Sequence, residues 1–270
     1  MNVARLFSRP RNLSHFMDPM RKVPGRHSMP VTHPSPRTLV SKNRTLSTST
    51  ALSAPDTNPN SSDRFTTALN QNKEWAAKTS KEEPELLATL ATGQRPEILW
   101  IGCSDSRCPE TTILGLKPGD VFVHRNIANI LHGADLSSAA VVEFAVRYLR
   151  VKHIVVSGHT GCGGVAAAMG NKQLGILDPW LLPLRQIREQ NLNLLQSMTP
   201  EEANVKVAEL NVHEGCKTLK QKSVVLEAIE ERGLQIHGLI YEVGSGVLRQ
   251  LDTDDSEEEI KARLVSYKTE

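Results

Sequence analysis

The chain has 270 residues, of which 39% are hydrophobic and 23% are charged, a composition ordinary for a globular protein of one large domain or two small ones. No stretch approaches the roughly 18 consecutive apolar residues that a transmembrane helix needs, so no membrane partner is expected. The net charge of +2 is unevenly distributed: residues 1–50 contain nine Lys or Arg and one acidic residue, Asp18, so they carry about +8, and the rest of the chain carries about −6. An acidic main part excludes the basic surface of a nucleic-acid-binding domain.

Residues 1–50 are rich in Ser, Thr and Pro as well as basic, and they lack the continuous apolar core of a secretory signal. This composition resembles a mitochondrial transit peptide, and Arg44-Thr45-Leu46-Ser47 resembles the cleavage site of a matrix protease. We therefore expect delivery to the mitochondrial matrix; the alternative is a disordered tail of a cytoplasmic protein. Residues 51–62 form a polar, Pro-containing linker, so we expect a single folded domain at 63–270.

Three helix starts can be predicted from local signals. Ser62-Asp63 precedes a segment with helical spacing of apolar residues and no early Gly or Pro. Ser80-Lys81-Glu82-Glu83, followed by Pro84, resembles a capping box and predicts a second helix start. Thr199-Pro200-Glu201-Glu202 is a capping box with Pro at the first helical position, and it predicts a helix that extends beyond Leu210. The first two starts together predict an N-terminal helical arm.

From residue 98 onward, short apolar runs alternate with helical segments. The runs at 98–101, 121–123 and 153–157 have the unbroken apolar character of strands that are covered on both faces. A predicted helix at 136–149 precedes the third run, and its polar face is the pair Glu143 and Arg147. Residues 236–243 and 247–251, which flank Gly244-Ser245-Gly246, predict a hairpin. We therefore predict an α/β fold with a mainly parallel central sheet of about four strands plus an edge hairpin, flanked by helices.

Two loops with metal-binding residue types directly follow predicted buried strands. The first runs from Cys103 through Asp105 to Arg107, and the second contains His159 and Cys162. The carboxyl ends of neighbouring parallel strands meet at one edge of a sheet, where ligands bind, so we expect the loops to converge. Cys103, His159 and Cys162 would supply three zinc ligands and leave the fourth position for water, as in catalytic zinc sites. A closed structural site needs a fourth Cys or His, and none stands at ligand spacing.

Each part of this pattern also has a simpler explanation. His159 and Cys162 alone would more often be core residues than ligands. Cys103 alone could be a buried thiol, or the thiolate nucleophile of a hydrolase or a rhodanese-like enzyme. The spacing from Cys103 to Arg107 is too short for a tyrosine-phosphatase loop, and Asp105 with Arg107 could form an ordinary surface ion pair. The occurrence of both loops after strands favours a metal site.

The combined pattern resembles the signature of β-class carbonic anhydrases. Cys103-x-Asp105-x-Arg107 is followed about fifty residues later by His159-x-x-Cys162, and the likeness continues through HRNIAN at 124–129 and HGLIYEV at 237–243. The resemblance implies that Cys103, His159 and Cys162 bind one zinc ion per subunit and that Asp105 and Arg107 form a catalytic dyad. Zinc would lower the pKa of its bound water, and the resulting hydroxide would attack carbon dioxide to give bicarbonate and a proton.

The substrate and regulatory residues follow from the same reasoning. The loop that contains Gly163 and Gly164 is predicted to open a helix, whose N–H groups would hold bicarbonate. By resemblance, Trp100, Arg125 and Tyr241 occupy the positions of a regulatory bicarbonate pocket found in some members of the family. The alternative is that the two aromatic residues belong to the core and that Arg125 forms an ion pair.

The resemblance also implies self-association as a homodimer or a tetramer, in which the helical arm wraps around a partner subunit. Two other functions stay open on the sequence alone. The chain could be a related zinc hydrolase of another heterocumulene, such as carbon disulfide. It could also be a non-catalytic, zinc-stabilised binding protein, which would have a closed metal shell.

Overall fold

A five-stranded sheet lies at the centre of the fold, which a computed structural model describes for residues 63–267. Its spatial order is β2-β1-β3-β4-β5, and the strands are β1 (Ile98–Cys103), β2 (Val121–Asn126), β3 (His153–His159), β4 (Gln235–Glu242) and β5 (Val247–Leu251). The first four strands pair in parallel, and β5 pairs antiparallel with β4. This arrangement confirms the predicted α/β fold with an edge hairpin.

The predicted transit peptide at 1–50 and the predicted linker at 51–62 lie outside the described residues. Among the helices of residues 63–267, none combines the length and the apolar character of a membrane span.

The described helices flank the sheet; two of them precede β1, and the others lie between the strands or after β5. They are α1 (Arg64–Glu82), α2 (Pro84–Thr92), α3 (Glu110–Leu114), α4 (Leu136–Glu143), α5 (Gly163–Met169), α6 (Leu177–Trp180), α7 (Leu182–Gln190), α8 (Leu192–Gln196), α9 (Pro200–Lys220), α10 (Ser223–Arg232) and α11 (Glu257–Tyr267).

The two central strands are buried on both faces, which explains their unbroken apolar sequences. Leu99 of β1 and Ile154 of β3 are fully buried on one face, and Trp100 and Val155 are nearly so on the other. Burying one such aliphatic side chain contributes about 1.5 to 3 kcal/mol to folding. The strands that carry the predicted site are therefore the best anchored part of the sheet.

Helix α9 packs closely on β3 and β4 because each strand carries a glycine beneath it. A Cβ at Gly158 would lie 3.0 Å from Val212 Cγ2, and a Cβ at Gly238 would lie 2.9 Å from Val212 Cγ1. The start of α9 is fixed by the predicted capping box, which the structure confirms: Thr199 Oγ1 accepts from Glu202 N, and the Glu202 carboxylate accepts from Thr199 N.

The predicted helix start at Ser80 is wrong. Helix α1 begins after its N-cap Asp63, as predicted, but it continues through Ser80 to Glu82, and α2 begins at Pro84. The break falls at Glu83, whose φ of −134° and ψ of 69° are not helical. Proline disfavours the helical conformation in the residue before it, and this local restriction outweighs the capping pattern at Ser80.

The predicted helix at 136–149 forms, but its second half has a wider turn. Helix α4 ends at Glu143, and Phe144–Tyr148 forms a π-helical turn in which Leu149 N donates to Phe144 O. The predicted ion pair between Glu143 and Arg147 is present within this segment.

A nearly buried cluster of three charges attaches the C-terminal helix α11 to the body. The Asp255 carboxylate accepts from Arg263 Nη1 and Nη2 at 2.8 and 3.0 Å, and Lys220 Nζ lies 2.6 Å from it. Burial alone would raise the pKa of Asp255, but the hydrogen bonds from Arg263 and Lys220 outweigh burial and lower it. Because the pKa is lowered on folding, this stabilisation is present at neutral pH and is lost below about pH 4.

We predict that Asp255→Ala detaches α11, because it leaves the Lys220 and Arg263 cations without their buried anion. Removal of one partner from such a cluster costs about 3 kcal/mol. Hydrogen exchange should accelerate across Glu257–Tyr267, and the denaturation midpoint should fall. Asp254→Ala is the control, since Asp254 is exposed. Unchanged exchange rates in α11 of the Asp255 variant would contradict the role of the cluster.

Candidate metal centre

The predicted metal-binding loops meet at the carboxyl edge of the sheet. Cys103 is the last residue of β1, His159 is the last residue of β3, and these strands are neighbours. Cys162 follows three residues later as the N-cap of α5. The structure therefore brings together the three residues that the sequence marked as candidate ligands.

The three potential ligand atoms form one buried group. The sulfur atoms of Cys103 and Cys162 are 4.0 Å apart, and these atoms and a His159 ring nitrogen all lie within 4.8 Å of one another. Two thiolates about 2.3 Å from one tetrahedral zinc ion would lie about 3.8 Å apart. Within residues 63–267, no other Cys, His, Asp or Glu joins this group. The donor set and its spacing fit a zinc ion held by three protein ligands.

The His159 ring is oriented so that one nitrogen faces the two sulfur atoms. Its Nδ1 lies 3.0 Å from the Thr160 carbonyl oxygen and donates to it, while its Nε2 is buried and has no hydrogen-bond partner. Thr160 is itself fixed, because its N donates to Tyr241 O and its Oγ1 accepts from Val243 N. A buried ring nitrogen without a partner is costly, and a metal ion would satisfy it.

Two of the candidate ligands, Cys162 and His159, hold protons that a zinc ion would have to displace. The pKa of Cys103 is lowered because the Cys162 thiol donates a hydrogen bond to its thiolate, and the pKa of Cys162 is raised because it keeps that proton and is buried. Burial lowers the pKa of His159, but the Cys103 thiolate, the Thr160 carbonyl and Asp105 outweigh burial and raise it. Zinc binding to Cys162 and His159 therefore competes with protons.

Asp105 and Arg107 form a two-point ion pair at the mouth of the ligand group. Arg107 Nε donates to Asp105 Oδ1 at 2.9 Å and Nη2 donates to Oδ2 at 2.7 Å, while Nη2 also donates to Gly161 O at 3.0 Å. The hydrogen bonds from the Arg107 side chain hold the pKa of Asp105 well below its usual range. Asp105 Oδ2 lies 3.9 Å from His159 Nε2. The carboxylate is therefore ionised and faces the ligand group, and Arg107 links the two loops.

A strained backbone segment also holds the Cys103 sulfur, a contact that the sequence did not indicate. Ala128 N donates to Cys103 Sγ at 3.3 Å, although Ala128 has the left-handed φ of 60°. Such a conformation costs about 1 to 3 kcal/mol for a residue other than glycine. The buried side chain of Asn211 in α9 donates to Ala128 O at 2.9 Å and stabilises it. Ala128 belongs to the HRNIAN motif, whereas Asn211, 83 residues away, gave no sequence signal.

Gly163 and Gly164 form the first turn of α5, as predicted, but their surroundings differ. A Cβ at Gly164 would lie 2.8 Å from Ala128 Cβ and 3.2 Å from Ile127 Cγ2, whereas a Cβ at Gly163 would meet nothing within 4 Å. The backbone N–H groups of Val165 and Gly164 act to lower the pKa of Cys162, but the hydrogen bond with Cys103 and burial outweigh them. Gly164 thus allows α5 to approach the strained segment, and the predicted role of both glycines in bicarbonate binding stays a prediction.

The three residues of the predicted regulatory pocket lie on one face of the sheet. Trp100 and Tyr241 are 2% and 8% exposed, and the Trp100 indole covers Gly102, where a Cβ would lie 2.5 Å from Trp100 Nε1. Arg125 lies beside Gly102 on β2 and donates to Cys103 O at 2.8 Å and to Asp105 O at 2.5 Å. Arg125 therefore fixes the loop that carries the dyad.

The other two cysteines lie apart from this group and are not paired by disulfides. Burial raises the pKa of Cys108 to about 11 and that of Cys216 to about 12, so both thiols stay protonated at neutral pH. Cys216 is a small buried residue on α9, as predicted.

Known proteins are similar to this chain in sequence and in structure. A family model described as carbonic anhydrase matches residues 98–248. The carbonic anhydrase of Emericella nidulans is 45% identical over 68% of this chain and 81% of its own length. The crystal structure of a β-carbonic anhydrase from the fungal pathogen Aspergillus fumigatus is 74% identical, with a TM-score of 0.76 over 77% of this chain and 100% of that chain. A tetrameric β-carbonic anhydrase from Sordaria macrospora is 48% identical, with a TM-score of 0.71 over 72% and 100%.

We predict that Gly164→Ala weakens both the fold and zinc retention, because the added Cβ would collide with Ala128 Cβ and displace the segment that holds Cys103. Overpacking of this kind costs about 1 to 3 kcal/mol. Gly163→Ala is the matched control, since its Cβ would lie in open space. Denaturation midpoints and zinc content after purification measure both effects. Equal losses in the two variants would contradict the packing argument.

We further predict that zinc affinity falls as the pH decreases. The pKa values of Cys162 and His159 are raised, so protons occupy these ligands at lower pH and are released when zinc binds. Competition with a chelator at several pH values gives the dissociation constant, and calorimetry in buffers of different ionisation enthalpy gives the number of protons released. A dissociation constant that does not change with pH would rule this out.

Proposed function

The chain belongs to the β-class carbonic anhydrase family, and we propose that it catalyses the reversible hydration of carbon dioxide to bicarbonate and a proton with one zinc ion per subunit. The observation that carries the zinc mechanism is the position of Asp105, which Arg107 holds with its Oδ2 3.9 Å from the unpaired Nε2 of His159. An ionised hydrogen-bond acceptor beside three ligands can orient a reacting water molecule. A structural zinc site has four protein ligands and no bound water, so it does not need such an acceptor.

Cys103, His159 and Cys162 are the residues that would hold the zinc ion. Zinc bound there would act as a Lewis acid and lower the pKa of a water molecule in its fourth coordination position. The protein fixes the ligands through backbone contacts, since Ala128 N donates to Cys103 Sγ and Thr160 O accepts from His159.

Asp105 would orient the water molecule that reacts. Because its carboxylate is ionised, it accepts a hydrogen bond and does not donate one, so it selects the direction of the water O–H bond. The oxygen lone pair then points to the carbon of carbon dioxide, and Arg107 prevents the carboxylate from rotating. One C–O bond forms, the electron pair of one C=O bond moves to its oxygen, and one proton leaves to the buffer.

An apolar groove beside the site suits an uncharged substrate. A cavity of about 690 Å³ is lined by Ser104, which follows Cys103 in the chain, and by the apolar side chains of Ile127, Leu177 and Trp180. Its walls are fixed because Trp180 Nε1 donates to Ile127 O at 2.9 Å. Carbon dioxide carries neither charge nor dipole, so its transfer from water to an apolar groove costs little desolvation free energy. Bicarbonate is charged, so the same groove disfavours it and the product would leave toward solvent.

Self-association is part of the proposal. The relative from Sordaria macrospora is described as tetrameric. On α1, Phe65, Leu69 and Trp75 are 69%, 49% and 43% exposed, and within that helix only Thr79 is buried. A second copy that covers this apolar surface would make the helix the predicted arm. Light scattering of the protein in solution distinguishes a monomer from a dimer or a tetramer.

Regulation by bicarbonate through Trp100, Arg125 and Tyr241 stays a proposal. Arg125 supports it, because an anion that draws the guanidinium away from Cys103 O and Asp105 O would release the dyad loop. The burial of Trp100 and Tyr241 is equally expected of core aromatics. Hyperbolic rather than cooperative inhibition by bicarbonate would contradict the switch.

Delivery to the mitochondrial matrix is proposed from the composition of residues 1–50 alone, with the cytoplasm as the alternative. Cell fractionation, together with the N-terminal sequence of the purified protein, decides between the two compartments.

We predict that Asp105→Asn lowers the hydration rate by about 100-fold or more while zinc content stays unchanged, because the amide keeps the size of the carboxylate but loses its charge. Stopped-flow measurement of carbon dioxide hydration gives the rate. Ser106→Ala is the matched control, since Ser106 is exposed in the same loop. A full rate in the Asp105 variant would exclude the dyad. Turnover of carbon disulfide without turnover of carbon dioxide would favour the heterocumulene hydrolase instead.

A further inference from the structure

Two histidines lie together at the amino-terminal end of the parallel strands, away from the metal centre. His153 is the first residue of β3, whereas His159 is the last, so this end is about 20 Å from the ligand group. His237 lies on the neighbouring strand β4 and pairs with Val155. The two rings are therefore diagonal neighbours on one face of the sheet, and we call them the His153–His237 pair.

The two rings face each other through their nitrogen atoms. His153 Nδ1 lies 3.1 Å from His237 Nε2, and the ring centroids are 5.3 Å apart. Both side chains are half-buried. Burial and the neighbouring His153 lower the pKa of His237, so this ring is neutral at physiological pH. Neutral imidazole is the form that binds metals.

We propose that the His153–His237 pair is a second metal site, which takes one divalent transition-metal ion that accepts imidazole ligands at right angles, such as Ni²⁺ or Cu²⁺. Two imidazole nitrogens on one such ion, each about 2.1 Å from it, are about 3 Å apart when the ligands are at right angles. The distance between His153 Nδ1 and His237 Nε2 already has this value. Both rings stand on paired strands. To bind an ion, the two rings would rotate toward it, and the ring that donates in the pair would move its proton to its other nitrogen.

The surroundings of the pair favour a cation. His237 lines a cavity of about 810 Å³ together with Asp252 and Asp254, whose carboxylates are exposed. Lys220 and Arg263 share Asp255, and with Glu230, Asp252 and Asp254 the cavity is lined by four carboxylates and two cations. Asp252 directly follows β5, and the register places it opposite His237 on the hairpin. Water would complete the coordination of an ion held by the two rings.

The test is Ni²⁺ binding to the full-length protein after zinc loading and removal of free metal. Calorimetry should detect a Ni²⁺ site in the wild type that becomes about tenfold weaker or more in both His153→Gln and His237→Gln. The double variant should be little weaker than either single one, because one substitution already removes the two-nitrogen chelate. His213→Gln is the control and should bind Ni²⁺ like the wild type. The histidines of residues 1–50 are present in every variant, so any Ni²⁺ that they bind is the same in all of them.

Zinc content and carbon dioxide hydration are measured on the same samples, because the pair lies outside the catalytic site and both should be unchanged. This readout separates loss of the site from loss of the fold. Equal Ni²⁺ affinity in the wild type and both single variants would overturn the proposal and leave the pair as a hydrogen bond between two rings. Independent, additive losses in the double variant would overturn it as well.

Discussion

The parallel register between β1 and β3 is the constraint on which the candidate metal centre depends. Gly102 pairs with Ser157, so Cys103 and His159 leave the sheet at the same edge and on neighbouring strands. A slip of one residue would turn every side chain of the strand to the opposite face and would separate the sulfur from the imidazole. Burial of both faces, by Leu99 and Trp100 among others, prevents such a slip. The packing that stabilises the sheet therefore also sets the distances between the ligands.

Long-range hydrogen bonds to backbone carbonyls complete what the register begins. Arg107 donates to Gly161 O, Arg125 donates to Cys103 O and Asp105 O, and Asn211 donates to Ala128 O. Each bond joins segments that are distant in sequence, and together they offset the cost of the left-handed Ala128. The result is a site whose backbone is held from several directions before any metal binds, which reduces the reorganisation that binding or reaction requires.

The parts of the fold that the sequence predicted correctly are those with local signals. The apolar runs located three of the parallel strands, the glycine-containing turn located the hairpin, and the Thr199 capping box located α9. The ligand residues were recognisable because both loops directly follow strands. The failed start at Ser80 also had a local cause, since two signals competed and the proline was stronger. Ala128, Asn211 and the histidine pair were missed because their roles depend on contacts between residues far apart in the chain.

The close fit between Trp100 and Gly102 limits the order in which this strand can change during evolution. Any side chain at Gly102 would begin 2.5 Å from the indole nitrogen, so the glycine cannot be replaced while the tryptophan is present. A smaller residue at position 100 would first have to open space, at the cost of a cavity in the sheet. The two positions are therefore coupled, and substitutions there should be found in pairs. Because either substitution alone is disfavoured, the segment directly before Cys103 should change slowly during evolution.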